Sequence, residues 1–426
     1  MRTETIYDIG AIGIGPFNLG LAALCYPIKK LKTIFFEQKT KFCWHEGMLI
    51  PGTTLQVPYL ADLVTLADPS SQLTYLNFLR NQNRLLQFGI RDVQHITRLE
   101  YNRYCQWVCS QLKNLRFGYT VTDISYIPNK NCFKVVCKDA SSNLGIFNAY
   151  KLVIGAGTKP YIPPQLNSYL SDKLFHSSEY LFHKTAIEQS NSITVVGSGQ
   201  SAAEIFYDLL CNHPSKNLNW ITQSDRLYAM EDHKMAFEMA SPDYISYFYN
   251  LDQKQKDDLL FRQQTLYKGA NHSLLNKIYD TLYELRFEIG STPPLIQTST
   301  KLKEIQKTAS QAFCLHLHHH RQNTTYTHCS DCVILATGYM YEQPAFLDRI
   351  KHRLRWSEDN RYKVNADYSI DDSHKIFVQN AEMHAHGFNA PDLGLGPYRN
   401  AVIINSILKK KFYPVDKNAV FQYFGA

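Results

Sequence analysis

Two glycine-rich segments constrain this chain more than any other feature. Residues 8–20 read Asp-Ile-Gly-Ala-Ile-Gly-Ile-Gly-Pro-Phe-Asn-Leu-Gly, and residues 195–204 read Val-Val-Gly-Ser-Gly-Gln-Ser-Ala-Ala-Glu. Each follows a β-rich run and opens a helical pattern. A strand that turns sharply onto a helix N-terminus presents backbone amides and partial positive charge to a pyrophosphate. One such loop is a weak signal, but two predict two separately bound nucleotides in one chain. The expected fold is α/β, with two Rossmann-like dinucleotide-binding domains, and the expected protein is a flavoprotein reduced by a nicotinamide.

The loops differ in a way that assigns their ligands. In the first, Gly13 permits the tight turn and Gly15 the approach of the pyrophosphate. Pro16 fits the first helical turn, where a missing N–H costs nothing, and Asn18 stands where a third glycine is usual. The strand Thr33–Phe36 ends at Glu37, placed to accept hydrogen bonds from a ribose diol and to repel a 2′-phosphate. The second loop has Gly197 and Gly199, then Gln200 and Ser201 opening the helix, with Ala202 at the third glycine position. Its following strand, Leu218–Thr222, ends without an acid, and Ser224 and Arg226 can receive a phosphate. FAD is therefore expected first and NADPH second.

At 426 residues the chain exceeds one hydrophobic core. The expected division is an FAD-binding part at 1–165, an NADPH-binding domain at 175–330, and a return to the first domain at 331–426. Prolines in Lys159-Pro160-Tyr161-Ile162-Pro163-Pro164 speak against regular structure and mark an interdomain crossing. Within the second domain, residues about 227–300 are rich in aromatics and helix formers, including Tyr244, Tyr247, Phe248, Tyr249 and a long pattern over Gln253–Leu285. They read as a small helical subdomain, either a substrate-binding cap or simply a packed helical unit.

Hydrophobic residues at 44% and charged residues at 19% describe an ordinary soluble chain, and the net charge of +7 is spread without blocks. No nucleic-acid partner is expected. No apolar run approaches about 18 residues, so no membrane span is expected. The N-terminus runs into the strand at Ile6 with no secretory leader, and ten scattered cysteines suit a reducing cytoplasm. The pair Cys329-Ser330-Asp331-Cys332 has no helix start after it to activate a thiol and no second pair for zinc. The tract His316–His320 alternates faces without an acid at ligand spacing, which reads as a solvated edge strand, with no metal expected.

Several longer motifs carry a resemblance. Phe42-Cys43-Trp44-His45-Glu46-Gly47-Met48, Thr54-Leu55-Gln56-Val57-Pro58 and the Gly-Ile-Gly-Pro-Phe-Asn start are three of them. Gly197–Glu204, Ala336-Thr337-Gly338-Tyr339, His384-Ala385-His386-Gly387 and Pro391-Asp392-Leu393-Gly394-Leu395-Gly396 complete the set. Together they resemble the flavin-dependent N-hydroxylating monooxygenases of siderophore biosynthesis, which include lysine N6- and ornithine N5-monooxygenases. The resemblance implies that NADPH reduces FAD, O₂ adds at the flavin C4a position, and a neutral primary amine takes the distal oxygen to give an N-hydroxylamine. It implies that Gln56 lies against the flavin ring and NADP, that Trp44, His45 and Met48 line the isoalloxazine, and that Asn271 faces substrate or nicotinamide. Thr337, Gly338, Tyr339, Asp392, Leu393 and Gly394 fall on the cofactor side, and Leu395 on the substrate side. A homo-oligomer, often a tetramer, is also implied.

The most useful departure is Ala61, in Tyr59-Leu60-Ala61-Asp62-Leu63. The ornithine-type motif has a lysine there, which the resemblance assigns to the substrate carboxylate; alanine forms no such ion pair. Phe237 precedes Glu238 where the ornithine branch has asparagine. Both are expected to face a substrate without a carboxylate: cadaverine, putrescine or, given the added aromatic, histamine. The alternative is lysine or ornithine. The amine, with a free pKa of about 10.4, must lose a proton before attack, and no residue's identity compels its assignment as the base. A sulfur-oxygenating or Baeyer–Villiger enzyme needs F-x-G-x-x-x-H, but Leu170 and Asp172 stand at its Phe and Gly positions before His176. A disulfide reductase needs a flavin-adjacent C-x-x-C. From another class, the alternative is a non-catalytic flavin-binding redox sensor.

Overall fold

The computed structural model describes residues 5–231, 233–290, 294–308, 311–415 and 418–425. Strand β1 (Ile6–Ile12), helix α1 (Pro16–Cys25) and strand β2 (Thr33–Glu37) form a parallel β-α-β unit. Helix α1 is apolar on nearly every face because every face is covered. Helices α2 (Tyr75–Asn81), α3 (Leu85–Arg91) and α4 (Arg98–Gln111) follow, with Thr74 and Thr97 capping α2 and α4 through their hydroxyls. Strand β3 (Leu115–Phe117) extends the sheet beyond β2, and β4 (Thr120–Ile127), β5 (Cys132–Lys138) and β6 (Leu144–Ile154) make an antiparallel meander. The apolar run at 152–154 is only the end of β6. Its first half is half-exposed hairpin, and its last half runs parallel to β1.

Strand β7 (Lys159–Pro160) opens the crossing to β8 (Leu174–His176), α5 (Lys184–Gln189), β9 (Ser192–Val196), α6 (Gln200–Asn212) and β10 (Asn217–Ile221). The helical insert is α7 (Lys234–Phe237), α8 (Pro242–Asn250), α9 (Gln253–Arg262) and α10 (His272–Phe287). The pattern over 253–285 is therefore two helices: Asp252 starts α9 with a capping box, and Asn271 caps α10. Then come β11 (Leu295–Gln297), β12 (Thr300–Lys307), β13 (Phe313–His319), β14 (Thr324–Ser330), β15 (Cys332–Leu335) and β16 (Tyr339–Met340).

The second parallel sheet runs β11-β10-β9-β15-β8, and β12-β13-β14 form a separate antiparallel sheet. Three expectations change here. The histidine tract lies on β13, the central strand of its sheet rather than an edge, with alternate residues buried. Lys159–Pro160 does form a strand, pairing with Tyr339–Met340, so the two crossings brace each other. Strand β15 belongs to the second sheet, so the chain leaves that domain after Leu335 rather than at residue 331.

The chain then returns. Strand β17 (Ile376–Val378) pairs with β6, short α11 (Met383–His386) follows, and α12 (Gly396–Leu408) packs on α1. The first sheet has the order β3-β2-β1-β6-β5-β4, with β17 beside β6. One core lies between this sheet and α1, α4 and α12, and a second is built around Phe206 and Trp220 of the other domain. Among the described residues no helix is long and apolar enough to cross a membrane.

Candidate active site

Gly13 has φ +87°, and a Cβ there would run into the carbonyl oxygen of Gly155 at the end of β6. Only glycine fits. The N-cap Gly15 offers no side-chain cap, so the first amides of α1 stay open toward an anion. Glu37 fixes this turn: it accepts Ile14 N–H at 2.9 Å and Lys39 N–H at 3.0 Å, and its remaining lone pairs can still face a ribose. Asn18 departs from the expected role. It is buried, donates to the carbonyls of Ile12 (3.0 Å) and Gly13 (2.8 Å), and accepts from Gln379 Nε2 (2.7 Å). Its amide is spent holding the turn and fills the space over Gly155, leaving nothing for a ligand. The open amides and the obligatory glycine are what an FAD pyrophosphate requires.

The second loop repeats the logic. A Cβ on Gly197 would meet the Ala336 carbonyl, Trp220 Nε1 donates to Gly197 O at 2.6 Å, and the N-cap Gly199 is again uncapped. The hydroxyl of Ser224 donates to that of Ser198 at 3.0 Å, and Arg226 lies 4.6 Å from the Tyr228 ring centroid. Asp225 stands between them, bound by the Tyr228 hydroxyl at 2.6 Å and paired with Arg321 at 3.7 Å. Arg321, on the β13–β14 turn, adds a second guanidinium to this corner. Its distance in sequence hid it.

Between the loops, side chains from both domains meet. Gln56 Nε2 donates to Gln200 Oε1 at 3.2 Å and contacts Met230 Sδ at 2.8 Å. The same Gln200 oxygen accepts the Asn271 backbone N–H at 2.7 Å, and Gln200 Nε2 donates to Glu204 Oε1 at 2.7 Å. Arg98, at the start of α4, closes the chain on Glu204 Oε2 at 2.7 Å. Burial pushes the Glu204 carboxyl up, and Arg98 opposes that shift. Asn271 caps α10, and its Oδ1 accepts from Ser273 N and Oγ, so only its Nδ2 is left to offer. Ser201, one residue on from Gln200, lies half-buried.

Aromatic rings line one wall of this cleft. Trp44 packs edge-on to His45 (4.8 Å) and Tyr101 (5.3 Å). Tyr339 stands between His45 (6.0 Å) and His176 (5.2 Å). His45 is exposed, yet burial by the groups packed around it, with Arg98 and Lys39 nearby, pushes its imidazole down to about 4. His176 Nε2 faces Gly338 O at 3.0 Å while Nδ1 accepts Ser178 N–H at 3.1 Å, an arrangement only the neutral ring satisfies. The Thr337 hydroxyl donates to Tyr161 O across the paired crossings.

Met48 does not line this wall. At 2% exposure it is packed with Phe175 and Tyr180 in the second domain's core. Neighbouring Gly47 explains why: its backbone lies against Ser178, where no Cβ fits.

Where the sequence reading puts the substrate, Ala61 is buried beside Gly394. Asp392 shapes that turn by accepting Gly394 N–H at 2.6 Å, and burial raises its carboxyl. Leu393 is half-buried, and Leu395 is buried at the start of α12. Beneath the loop lies an ion pair the sequence did not reveal. Buried Arg399 bonds Glu382 at 3.0 Å, donates to Ala390 O at 2.6 Å and stacks 4.6 Å from the Phe17 ring. Phe237 and Glu238 are not part of this surface as expected. Phe237 is 42% exposed at the end of α7, and both Glu238 oxygens accept backbone N–H groups of the C-terminal segment, from Phe421 (2.9 Å) and Gln422 (2.8 Å).

With this geometry in place, comparison with known proteins is direct. The family model for L-lysine 6-monooxygenase/L-ornithine 5-monooxygenase matches residues 5–341. A putrescine N-hydroxylase of Shewanella oneidensis is 43% identical over 425 residues, covering 99% of this chain and 84% of that protein. A putrescine N-hydroxylase of Acinetobacter baumannii is 40% identical over 426 residues, covering 100% of this chain and 95% of its own. The structure of DfoA bound to FAD, the cadaverine monooxygenase of the desferrioxamine pathway from Erwinia amylovora, superposes with a TM-score of 0.96 at 43% identity, covering 99% of both chains.

Proposed function

Because the chain belongs to the L-lysine 6-monooxygenase/L-ornithine 5-monooxygenase family, we propose that it hydroxylates one terminal nitrogen of a short diamine, putrescine or cadaverine, in siderophore biosynthesis. It is an FAD- and NADPH-dependent N-monooxygenase. The observation that carries the diamine reading is Ala61: buried beside Gly394, it supplies no cation for a substrate carboxylate. Phe237, the aromatic behind the histamine alternative, is 42% exposed at the end of α7, and histamine stays as the competing amine.

When bound, FAD reduced by NADPH and exposed to O₂ supplies the electrophilic oxygen. The protein's own part is binding, orientation and drying. The open helix ends of α1 and α6 would hold the two pyrophosphates, and the hydrogen-bonded Gln56 and Gln200 join the two nucleotide-binding units between them. Ser224, Arg226 and Arg321, gathered at one corner, would receive a 2′-phosphate. The rings of Trp44 and Tyr101 pack together as an apolar wall, and His176, neutral by its hydrogen bonds, adds no charge beside it. A low-dielectric pocket favours the neutral amine that attack requires. We further take the helical insert at about 227–300 as the substrate-side subdomain from its aromatic composition, the enzyme as cytoplasmic from its ten cysteines, and as a homotetramer by family analogy.

The test is a panel of putrescine, cadaverine, histamine, lysine and ornithine, scored by hydroxylamine formed alongside NADPH consumed. The expected result is the highest kcat/KM for hydroxylamine with a diamine. Lysine or ornithine outperforming both diamines overturns the argument from Ala61. Flavin reduction with no hydroxylamine from any amine favours the redox sensor.

A further inference from the structure

We propose that the C-terminal segment 418–425 is a strap that positions the substrate side of the site, anchored by Glu238 and Asp243; the inference rests on the diamine reading for placing the substrate beside Ala61. Asp243 accepts the backbone N–H of Asn418 at 2.8 Å and of Ala419 at 2.9 Å. Glu238 does the same for Phe421 and Gln422, and Gln422 Nε2 donates to Met235 O at 2.6 Å. Each carboxylate thus spends both oxygens on tail backbone in charge-assisted bonds, which fix the path of the segment. Binding to the tail N–H groups holds the Glu238 carboxyl below its ordinary range.

The strap is not merely tied down; it contributes to a shared cluster. The Phe424 ring packs edge-on to Tyr244 at 5.1 Å, and Tyr244 lies 5.7 Å from Phe388 on its other flank. Phe388 begins the loop that runs to Leu395 beside Ala61. The next residue, Asn389, donates to Met239 O at 3.0 Å, binding that loop to the insert a second time. One aromatic cluster therefore joins strap, insert and substrate loop. A freed strap removes Phe424 from the face of Tyr244 and loosens Phe388, while the two nucleotide loops keep every contact described for them.

Full-length Glu238→Ala and Phe424→Ala test this, with Phe421→Ala as control because that ring is 98% exposed. The first two are expected to raise KM for cadaverine roughly five- to tenfold and to lower hydroxylamine formed per NADPH. FAD content and anaerobic flavin reduction by NADPH should stay within about twofold of wild type. Limited proteolysis should cut the tail of Glu238→Ala faster than that of wild type. Should Glu238→Ala be insoluble, Glu238→Gln carries the same test, since an amide keeps one acceptor and loses an anchor. The proposal is overturned by wild-type KM and coupling in a variant whose tail is demonstrably released. It is equally overturned if Phe421→Ala matches Phe424→Ala, or if flavin reduction and FAD content fall along with KM. A wild-type enzyme that hydroxylates no amine sinks the diamine reading instead. Failure of the strap alone is an active wild type with indistinguishable variants.

Discussion

Gly13 and Gly197 are each required by a carbonyl oxygen that leaves no room for a Cβ, at Gly155 and Ala336. At Gly13 the left-handed backbone alone costs an L-residue on the order of 1–2 kcal/mol, and the contact adds to that. Gly13→Ala should therefore purify with at least about tenfold weaker FAD affinity, read by flavin absorbance after dialysis; full flavin retention contradicts this. Ala61→Lys tests the other informative residue. It places a second ammonium near a diamine substrate, and kcat/KM for cadaverine should fall about tenfold or more, as like charges at partial burial repel. An unchanged value means Ala61 does not face the substrate. These residues were legible because their constraint is local or depends on a motif position. Glu238 and Asn18 were misread because chain from far along the sequence returns to meet them: Phe421 is 183 residues from Glu238, and Gln379, which adds to the local bonds of Asn18 with Ile12 and Gly13, is 361 away. A polar residue inside a motif looks like a ligand until the chain that comes back to satisfy it is seen.

Among elements, the braced crossings and the join between α4 and α6 decide how the domains meet. His176 sits under the second crossing, where burial lowers its imidazole to about 4 from 6.5. The unfolded chain binds that proton first as pH falls, so the stabilisation is intact above about 6.5 and is lost as pH drops toward 4. Thermal midpoints should fall across that window, and His176→Gln should flatten the fall; parallel curves contradict it. The Arg98–Glu204 pair is a second such element, with the two side chains 12% and 2% exposed. Arg98→Met leaves a buried carboxylate unpaired and should cost about 3–5 kcal/mol in denaturant unfolding. Arg98→Met with Glu204→Gln should recover most of that loss, and a double variant no better than the single one argues against the pairing.

The parallel units, with their period and glycine turns, were readable at this scale. The split of 253–285 into two helices was not, because Asp252 and Asn271 cap helices with side chains that also suit loops. Nor was the central place of β13, since a strand with one polar face looks alike in the middle or at the edge of a small sheet.

In the whole molecule, a chain that leaves its first sheet at β6 and returns at β17 encloses the second domain between two paired crossings. That nesting brings Gln56 against Gln200, whose side-chain oxygen also accepts the Asn271 N–H, and it brings Gly394 of the 388–395 loop beside Ala61. Two nucleotides and one amine can then share a single cleft, which is the minimum an N-monooxygenase requires. The glycine loops identify the cofactors; on the function proposed above, the substrate is decided by Ala61 and the loop packed against it. The most direct test offers the enzyme equimolar cadaverine and lysine together, with NADPH and O₂, and identifies the hydroxylated product by mass spectrometry. N-hydroxycadaverine should dominate. A dominant N6-hydroxylysine contradicts the assignment.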